Sequence, residues 1–241
     1  MKKLLIALLV VSAPVLAAAP FTPEQETRIK ELIQETLVKN PSFLAEAADA
    51  YDKQAQKEQG DIRRQVIEQN KQALFHDVNS PRLGAKDAKV TLVNFTDYNC
   101  VYCKKFDPEL EKLVKNHPQV AVVIKPLPYR SESSLTSARQ ALMLWRQDPA
   151  KFWLLHQRLM AKKGYHDDAS IKAAANKVGA MFIDPDQLSS DTVNTNLQLA
   201  QHLAVSGTPA TLIGDQLVSG AVPYEQLEAL VKAQLEQADR G

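Results

Sequence analysis

Hydrophobic and polar positions divide this chain into two contrasting segments. From Thr22 to about Phe75 most side chains are polar, and the apolar ones recur at helical spacing. From Lys89 onward, strand-like apolar runs alternate with amphipathic stretches. The pattern predicts a helical segment with thin apolar stripes, followed by a domain that mixes strands and helices.

Start and stop signals bound the first predicted helix. Thr22 suits the N-cap position, Pro23 the first helical position, and Gln25 the third position of a capping box. The apolar stripe that follows stops at Asn40-Pro41, because proline cannot continue a helix. The first helix is therefore predicted from Pro23 to about Lys39.

A second, longer helix is predicted from a cap at Ser42 to Leu74, with Gly60 as a weak point. Its apolar stripe is narrow and polar where a strict heptad repeat needs apolar residues. The two helices pack either on the body of the same chain or on copies from other chains. We favour the second arrangement, so residues 18–76 are predicted to form a helical oligomerisation extension, followed by a linker over residues 77–88.

The later segment begins with a βαβ unit. The β-rich run Lys89–Thr96 predicts a buried strand, a helix follows it, and Val120–Ile124 predicts a second strand. The pattern is helical from Ser133 to Val205. Two runs, Ala210–Ile213 and Gln216–Ser219, then predict a β-hairpin, and an amphipathic helix follows it.

Composition and charge narrow the function classes. Of 241 residues, 45% are hydrophobic, and 29 Lys and Arg nearly balance 28 Asp and Glu. This is an ordinary globular composition, and a net charge of +1 gives no field that would attract a polyanion. No basic run interleaved with aromatic residues occurs, so we expect no nucleic-acid partner.

The first 17 residues have the organisation of a secretory signal peptide. Lys2 and Lys3 precede the apolar run Leu4–Val11, and a small-residue cleavage signal ends at Ala17. The apolar run is shorter than the roughly 20 residues that span a bilayer, although an uncleaved anchor is the alternative. We predict cleavage after Ala17, export to the periplasm and no membrane insertion.

Cys100 and Cys103 are the only thiols of the chain, and they lie where a strand runs into a helix. Unpaired N–H groups and the helix dipole favour an anion there, so Cys100 should have a lowered pKa. Cys103, one turn further, can attack a mixed disulfide formed at Cys100. The pair predicts a redox-active disulfide that oxidises or rearranges disulfides in other chains, without a further cofactor.

Three other uses of the cysteine pair stay open at this point. Half of a zinc site would need ligands that the five widely spaced histidines do not offer at a suitable spacing. A purely structural disulfide across so short a loop would add little stability. Two thiolates alone suit Cu(I), so a Cu(I)-binding protein or chaperone that uses Cys100 and Cys103 is the competing class of function.

A second signal is the tetrapeptide Gly207–Ala210, which contains Thr208-Pro209 and precedes the predicted hairpin. A proline before a strand removes a ladder donor, and X-Pro bonds are where cis peptides occur. An isolated Gly-Thr-Pro is a common turn. Here the tetrapeptide is informative because it follows the Cys-x-x-Cys motif and the helical stretch along the chain.

These motifs together resemble the thioredoxin superfamily, and the helical stretch between Ile124 and Ala210 resembles its DsbA group of thiol-disulfide oxidoreductases. The residues Phe95–Phe106, Gly207–Ala210 and the polar extension are similar to the branch that includes the suppressor-of-copper-sensitivity proteins, ScsC. The resemblance covers about Lys89 to Leu235. It implies an α/β thioredoxin fold over residues 89–241, with an inserted helical domain at about residues 131–205.

The resemblance also implies roles for individual residues. Cys100 would be the nucleophile and Cys103 the resolving thiol, while Thr208 and a cis Pro209 lie beside them and hold the substrate backbone. Val101 and Tyr102, between the cysteines, are also expected to contact substrate.

Two departures from the family pattern concern the reaction's direction. Asn94 stands where relatives usually have an acidic residue that moves protons for the resolving thiol, so attack by Cys103 would be slower or rely on water. The dipeptide Val101-Tyr102 lacks the histidine of the strongest oxidases, which favours a less oxidising pair. We therefore predict a disulfide isomerase or reductase, with a DsbA-type oxidase as the alternative.

The predicted partners follow from this function. They are client proteins with cysteines, a membrane redox partner that resets the pair, and further copies of the chain. Thin helical stripes favour a homo-oligomer, and the preference for a trimer over a dimer follows from the resemblance alone.

Overall fold

The computed structural model describes residues 21–240. The predicted signal peptide, residues 1–17, lies outside these described residues. The chain separates into two compact units, with the division between Gln56 and Lys57. Among residues 21–240, no helix combines the length and the apolar composition that crossing a bilayer requires.

The first unit contains helix α1, Pro23–Lys39, and the beginning of helix α2, Ser42–Gln69. The predicted bounds of α1 are confirmed, because its capping box forms. The Thr22 hydroxyl accepts from the Gln25 N–H at 3.3 Å, and the Gln25 side chain accepts from the Thr22 N–H at 2.9 Å. No side chain of α1 is buried. Exposed large apolar side chains of this unit include Ile29, Leu32, Ile33, Val38, Phe43, Leu44 and Tyr51.

The sequence predicts one continuous helix to Leu74, but the structure interrupts it at Asn70. The Asn70 side-chain amide donates to the carbonyl of Val66 at 2.8 Å, in competition with the backbone ladder. A short helix, α3 (Lys71–Phe75), follows. It places the fully buried Leu74 in an apolar cluster with Phe95. The helical residues from Lys57 onward thus group with the second unit.

The second unit is built on a five-stranded sheet with strand order β1-β3-β2-β4-β5. The strands are β1 Arg82–Gly84, β2 Val90–Thr96, β3 Val120–Pro126, β4 Ala210–Ile213 and β5 Gln216–Ser219. Strands β2 and β3 are parallel and are joined through helix α4, Val101–Asn116, as the sequence predicts. The other pairings are antiparallel. Helix α9, Tyr224–Arg240, packs with α4 over one apolar cluster of the sheet.

Strand β1 lies in a stretch for which the sequence predicts a linker or turn. It pairs with β3 through Leu83 and Val122. Gly84 has a φ of +95°, and a Cβ at this position would lie 2.7 Å from the Val120 carbonyl oxygen, so glycine is required. A strand of three residues that ends in such a glycine gives no alternating pattern in the sequence.

Four helices lie between β3 and β4, where the sequence predicts a helical insertion. They are α5 Glu132–Gln147, α6 Pro149–Ala161, α7 Asp168–Lys177 and α8 Gln187–His202. Their apolar core includes Phe152, Leu155 and Ile171. The predicted α/β fold with an inserted helical domain is confirmed.

A buried polar chain connects the insertion to helix α4. His156 of α6 contacts the Tyr98 hydroxyl through Nδ1 and the Asp107 carboxylate of α4 through Nε2, both at 2.9 Å. Tyr98 and His156 are both about 1% exposed. Because a broken buried hydrogen bond leaves an unpaired polar group, this chain fixes α4, which carries the cysteines, against the insertion.

Candidate active site

The two cysteines lie at the junction between strand β2 and helix α4. Cys100 is the N-cap residue of α4, and Cys103 occupies its first turn. Both are free thiols, and both are 1% exposed. The predicted placement at a helix N-terminus is confirmed, and the free N–H groups of the first turn face the sulfur of Cys100.

The environment of Cys100 stabilises its thiolate. Its pKa falls to about 4, chiefly because the Cys103 thiol donates a hydrogen bond to its sulfur, with further help from the backbone N–H groups of Cys103 and Tyr102. The guanidinium of Arg130 lies 4.0 Å from the Cys100 sulfur. These contacts favour the thiolate form of Cys100 at neutral pH, which is the form of a cysteine that reacts with disulfides.

Cys103 has the opposite character. Burial raises its pKa, and the negative charge of Cys100 raises it further. One of the two sulfurs is thus an anion and the other a neutral thiol. A disulfide bond at Cys100 would remove that anion, and Cys103 would then ionise more easily.

The Thr208-Pro209 dipeptide lies beside the Cys-x-x-Cys motif. The Thr208–Pro209 bond is cis, as predicted. The carbonyl oxygen of Thr208 is 3.1 Å from the Cys100 sulfur, and it accepts a hydrogen bond from Cys100 only while that thiol is protonated. Strand β4 starts at the next residue and pairs with the end of β2 through Ala210 and Phe95, which brings the loop to the cysteines.

The dipeptide between the cysteines is on the surface. Val101 is 57% exposed and Tyr102 is 56% exposed, in contrast to the buried sulfurs on either side. The Lys105 ammonium lies 5.9 Å from the centre of the Tyr102 ring. These side chains are therefore accessible to a docked polypeptide, and their substrate contact stays a prediction.

Arg130 is a site residue that the sequence analysis did not identify. Its backbone N–H donates to the carboxylate of the buried Asp97 at 3.0 Å, and the same carboxylate accepts from the Asn99 N–H at 2.8 Å. Burial raises the pKa of Asp97. The loop that carries Arg130 follows β3, 30 residues after Cys100, so no local spacing connects the two in the sequence.

Asn94 occupies the position where an acidic residue was expected from the resemblance. It is 2% exposed, and its amide donates to the Thr211 hydroxyl of β4 at 2.9 Å. It thus joins two strands under the site and has no proton to exchange.

Comparisons with known proteins agree with this geometry. A family model described as "DSBA-like thioredoxin domain" matches residues 91–232. The disulfide bond formation protein D of Bacillus subtilis is 23% identical over 172 residues, which cover 64% of this chain and 77% of that protein.

Two solved structures are more similar in sequence. A linker-deletion mutant of Proteus mirabilis ScsC is 44% identical, with a TM-score of 0.72, and the match covers 92% of this chain and 100% of that one. A periplasmic thioredoxin-like protein from Salmonella enterica serovar Typhimurium is 57% identical, with a TM-score of 0.66, over 68% of this chain and 95% of that one.

Proposed function

The chain belongs to the DsbA-like family of thiol-disulfide oxidoreductases, and from this premise we propose that it acts on client proteins as a disulfide isomerase or reductase. Cys100 and Cys103 are its proposed reactive pair. Thr208, Pro209, Val101 and Tyr102 would hold the client polypeptide.

The opposite ionisation of the two cysteines carries this proposal. The Cys100 thiolate attacks one sulfur of a client disulfide, so a Cys100–client bond forms and the other client sulfur leaves as a thiolate. In isomerisation, that released thiol attacks elsewhere in the client and regenerates Cys100. In reduction, the Cys103 thiolate attacks the Cys100 sulfur instead, which leaves the enzyme oxidised and the client reduced.

One observation favours the alternative of a dithiol oxidase. A stabilised thiolate favours the reduced form of the pair, and this makes the disulfide a stronger oxidant. The Arg130 guanidinium supplies such stabilisation through its contact with the Cys100 sulfur. The Val101-Tyr102 dipeptide, in contrast, contains no histidine that would stabilise the thiolate. The reaction direction then depends on the partner that resets the pair, which we propose is a membrane redox protein of the periplasm.

The exposed apolar side chains of α1 support a homo-oligomer. Within residues 21–240, α1 buries none of its side chains, yet it presents Leu32 and Ile33 at 45% and 54% exposure. Burial of such stripes between copies would stabilise both the helices and the assembly. We propose a trimer. Several Cys100 thiolates acting on one client would raise the effective concentration of the second attack.

Copper binding is a second candidate function of the same pair. Two thiolates are enough to coordinate Cu(I), and the Cys100 and Cys103 thiols are close enough for each to shift the pKa of the other. Residues 21–240 contain no cluster of three or more His, Cys, Asp or Glu side chains that would suit a metal of higher coordination number. Tight Cu(I) binding without turnover of a scrambled disulfide would favour this candidate over the redox enzyme.

The proposed function is tested by reactivation of scrambled ribonuclease with residues 18–241, beside the double variant Leu32→Glu/Ile33→Glu. We expect the unmodified chain to sediment as an oligomer and to isomerise, while the variant is a monomer that still reduces insulin but isomerises poorly. Gln34→Glu, at a polar position of the same helix, is the matched control. A monomeric unmodified chain, or a monomer that isomerises equally well, would contradict the proposed role of α1.

The direction of the reaction is tested inside the exporting cell. Trapping of free thiols at harvest should show the Cys100–Cys103 pair mostly reduced if the protein is an isomerase or reductase. A fully oxidised pair would instead identify it as an oxidase.

A further inference from the structure

A groove of about 400 Å³ lies next to the Cys-x-x-Cys motif. One wall is the first two turns of α4, and the other is the end of α6 with the segment that leads to α7. Apolar surface comes from Val101, the buried Met160 and the half-exposed Tyr165. The groove is therefore an accessible depression beside the nucleophile.

The groove is strongly basic. Four lysines line it, and no Asp or Glu does; they are Lys104, Lys105, Lys162 and Lys163. None of the four makes an ion pair with a carboxylate within residues 21–240, although Asp97 interacts with Lys104 and Asp167 interacts with Lys162 at longer range. Arg130 adds a cation on the other side of Cys100. The groove is thus locally positive, although the whole chain is nearly neutral.

Internal hydrogen bonds hold the two walls together. The Lys104 ammonium donates to the carbonyls of Lys162 and Gly164, each at 2.7 Å. The Asn99 side chain accepts from the His166 N–H at 2.7 Å. The segment 162–166 is therefore fixed to the start of α4, and the groove exists before any partner binds.

We propose that this groove binds the client segment beside the attacked cysteine and selects segments that carry Asp or Glu near it. This inference rests on the proposed function and names its substrate class. Lys104 and Lys105 are one helical turn from Cys100, or about 6 Å along the axis. An extended client advances about 3.3 Å per residue, so its acidic side chains would lie two to four residues from the cysteine.

Charge complementarity is the argument for an acidic partner. No carboxylate lines the groove, so its lysines repel one another, as Lys162 repels Lys104, and an acidic ligand reduces that repulsion. The apolar floor at Met160 and Tyr165 adds contact surface for side chains between the acidic ones. If the lysines of the groove only stabilised the Cys100 thiolate, acidic and basic clients would react with that thiolate at the same rate.

The test compares two substrates with the full-length reduced protein. Each is a disulfide-linked dimer of an eight-residue peptide with one central cysteine, flanked by Asp in one peptide and by Lys in the other. Cys100 attacks either sulfur, one peptide leaves as a thiol, and Cys103 then releases the second, so two enzyme thiols become a disulfide. We expect the acidic dimer to be reduced about tenfold faster at low salt, and this preference to shrink at 0.5 M NaCl.

Charge-reversal variants locate the selectivity. Lys105→Glu/Lys163→Glu should remove the preference for the acidic dimer, because both side chains are exposed in the groove. The matched control, Lys172→Glu/Lys177→Glu, makes the same charge change on exposed positions of α7 and should keep it. Equal rates for the two dimers with the unmodified chain would overturn the inference, as would loss of the preference in the control.

A neutral small disulfide, bis(2-hydroxyethyl) disulfide, separates this inference from the proposed function. If the reduced protein exchanges with it but shows no preference between the dimers, the groove does not select clients, and the oxidoreductase function stands. If the protein exchanges with none of the three disulfides, the proposed function is wrong and the inference falls with it.

Discussion

Replacement of Arg130 by methionine should raise the pKa of Cys100 and make the pair less oxidising. The guanidinium is 4.0 Å from the Cys100 sulfur. At 4 Å, two unit charges interact by about 1 kcal/mol in water and about 4 kcal/mol at an effective dielectric constant of 20. Because the Arg130 side chain is solvent-exposed, the value near that of water applies.

A loss of about 1 kcal/mol corresponds to roughly 0.7 pKa unit and to roughly 20 mV for a two-electron couple. In Arg130→Met, the pKa of Cys100 should therefore rise by roughly 0.7 unit from its value of about 4. The thiolate of the reduced form is then less stabilised, so the reduction potential should become more negative by roughly 20 mV at pH 7. Thiolate absorbance at 240 nm measures the first quantity, and equilibrium with glutathione measures the second.

Arg130→Lys keeps the charge and should recover part of both shifts. Arg158→Met removes an exposed arginine of α6 and should change neither. If the pKa and the potential in Arg130→Met stay within error of the unmodified protein, the contact does not stabilise the thiolate. An equal shift in Arg158→Met would point instead to the general charge of the protein.

Other predictions follow from the same geometry. Alkylation of Cys100 by iodoacetamide should rise with pH around a midpoint near 4, because only the thiolate reacts, and a midpoint between 8 and 9 would show an ordinary thiol. Leu74→Ala should lower the free energy of unfolding in urea by about 2 to 5 kcal/mol, since this side chain is fully buried; a change below about 1 kcal/mol would place it outside the core. His156→Leu leaves the Tyr98 hydroxyl and the Asp107 carboxylate without their shared partner and should cost about 2 to 4 kcal/mol; an unchanged urea midpoint would show that the buried chain is not needed.

The elements that the sequence predicts well have strong local signals. α1 follows from its capping box and from Asn40-Pro41, both of which act over a few residues. β2 and the helix after it follow from a β-rich run that leads into the Cys-x-x-Cys motif. The cis Thr208–Pro209 bond is predicted through resemblance and position, because an X-Pro dipeptide alone does not specify its isomer.

The features that the sequence misses depend on contacts between distant residues. β1 is a strand only because it pairs with the edge of β3. At Asn70, where α2 ends, the side-chain amide and the backbone N–H share the carbonyl of Val66. Arg130 reaches Cys100 through a loop whose position depends on the buried Asp97. The basic groove is likewise assembled from two lysine pairs, 104–105 and 162–163, that lie far apart in the chain.

The most direct test of the different roles of the two cysteines is to trap mixed disulfides in the exporting cell. Cys103→Ser should accumulate mixed disulfides between Cys100 and client proteins, visible as reducible high-mass species, because the resolving thiol is missing. Cys100→Ser should form none, since burial alone, without the Cys100 charge, keeps the pKa of Cys103 raised and its sulfur out of reach of a client. Equal amounts of mixed disulfide in the two variants would contradict the assignment of Cys100 as nucleophile and Cys103 as resolving thiol.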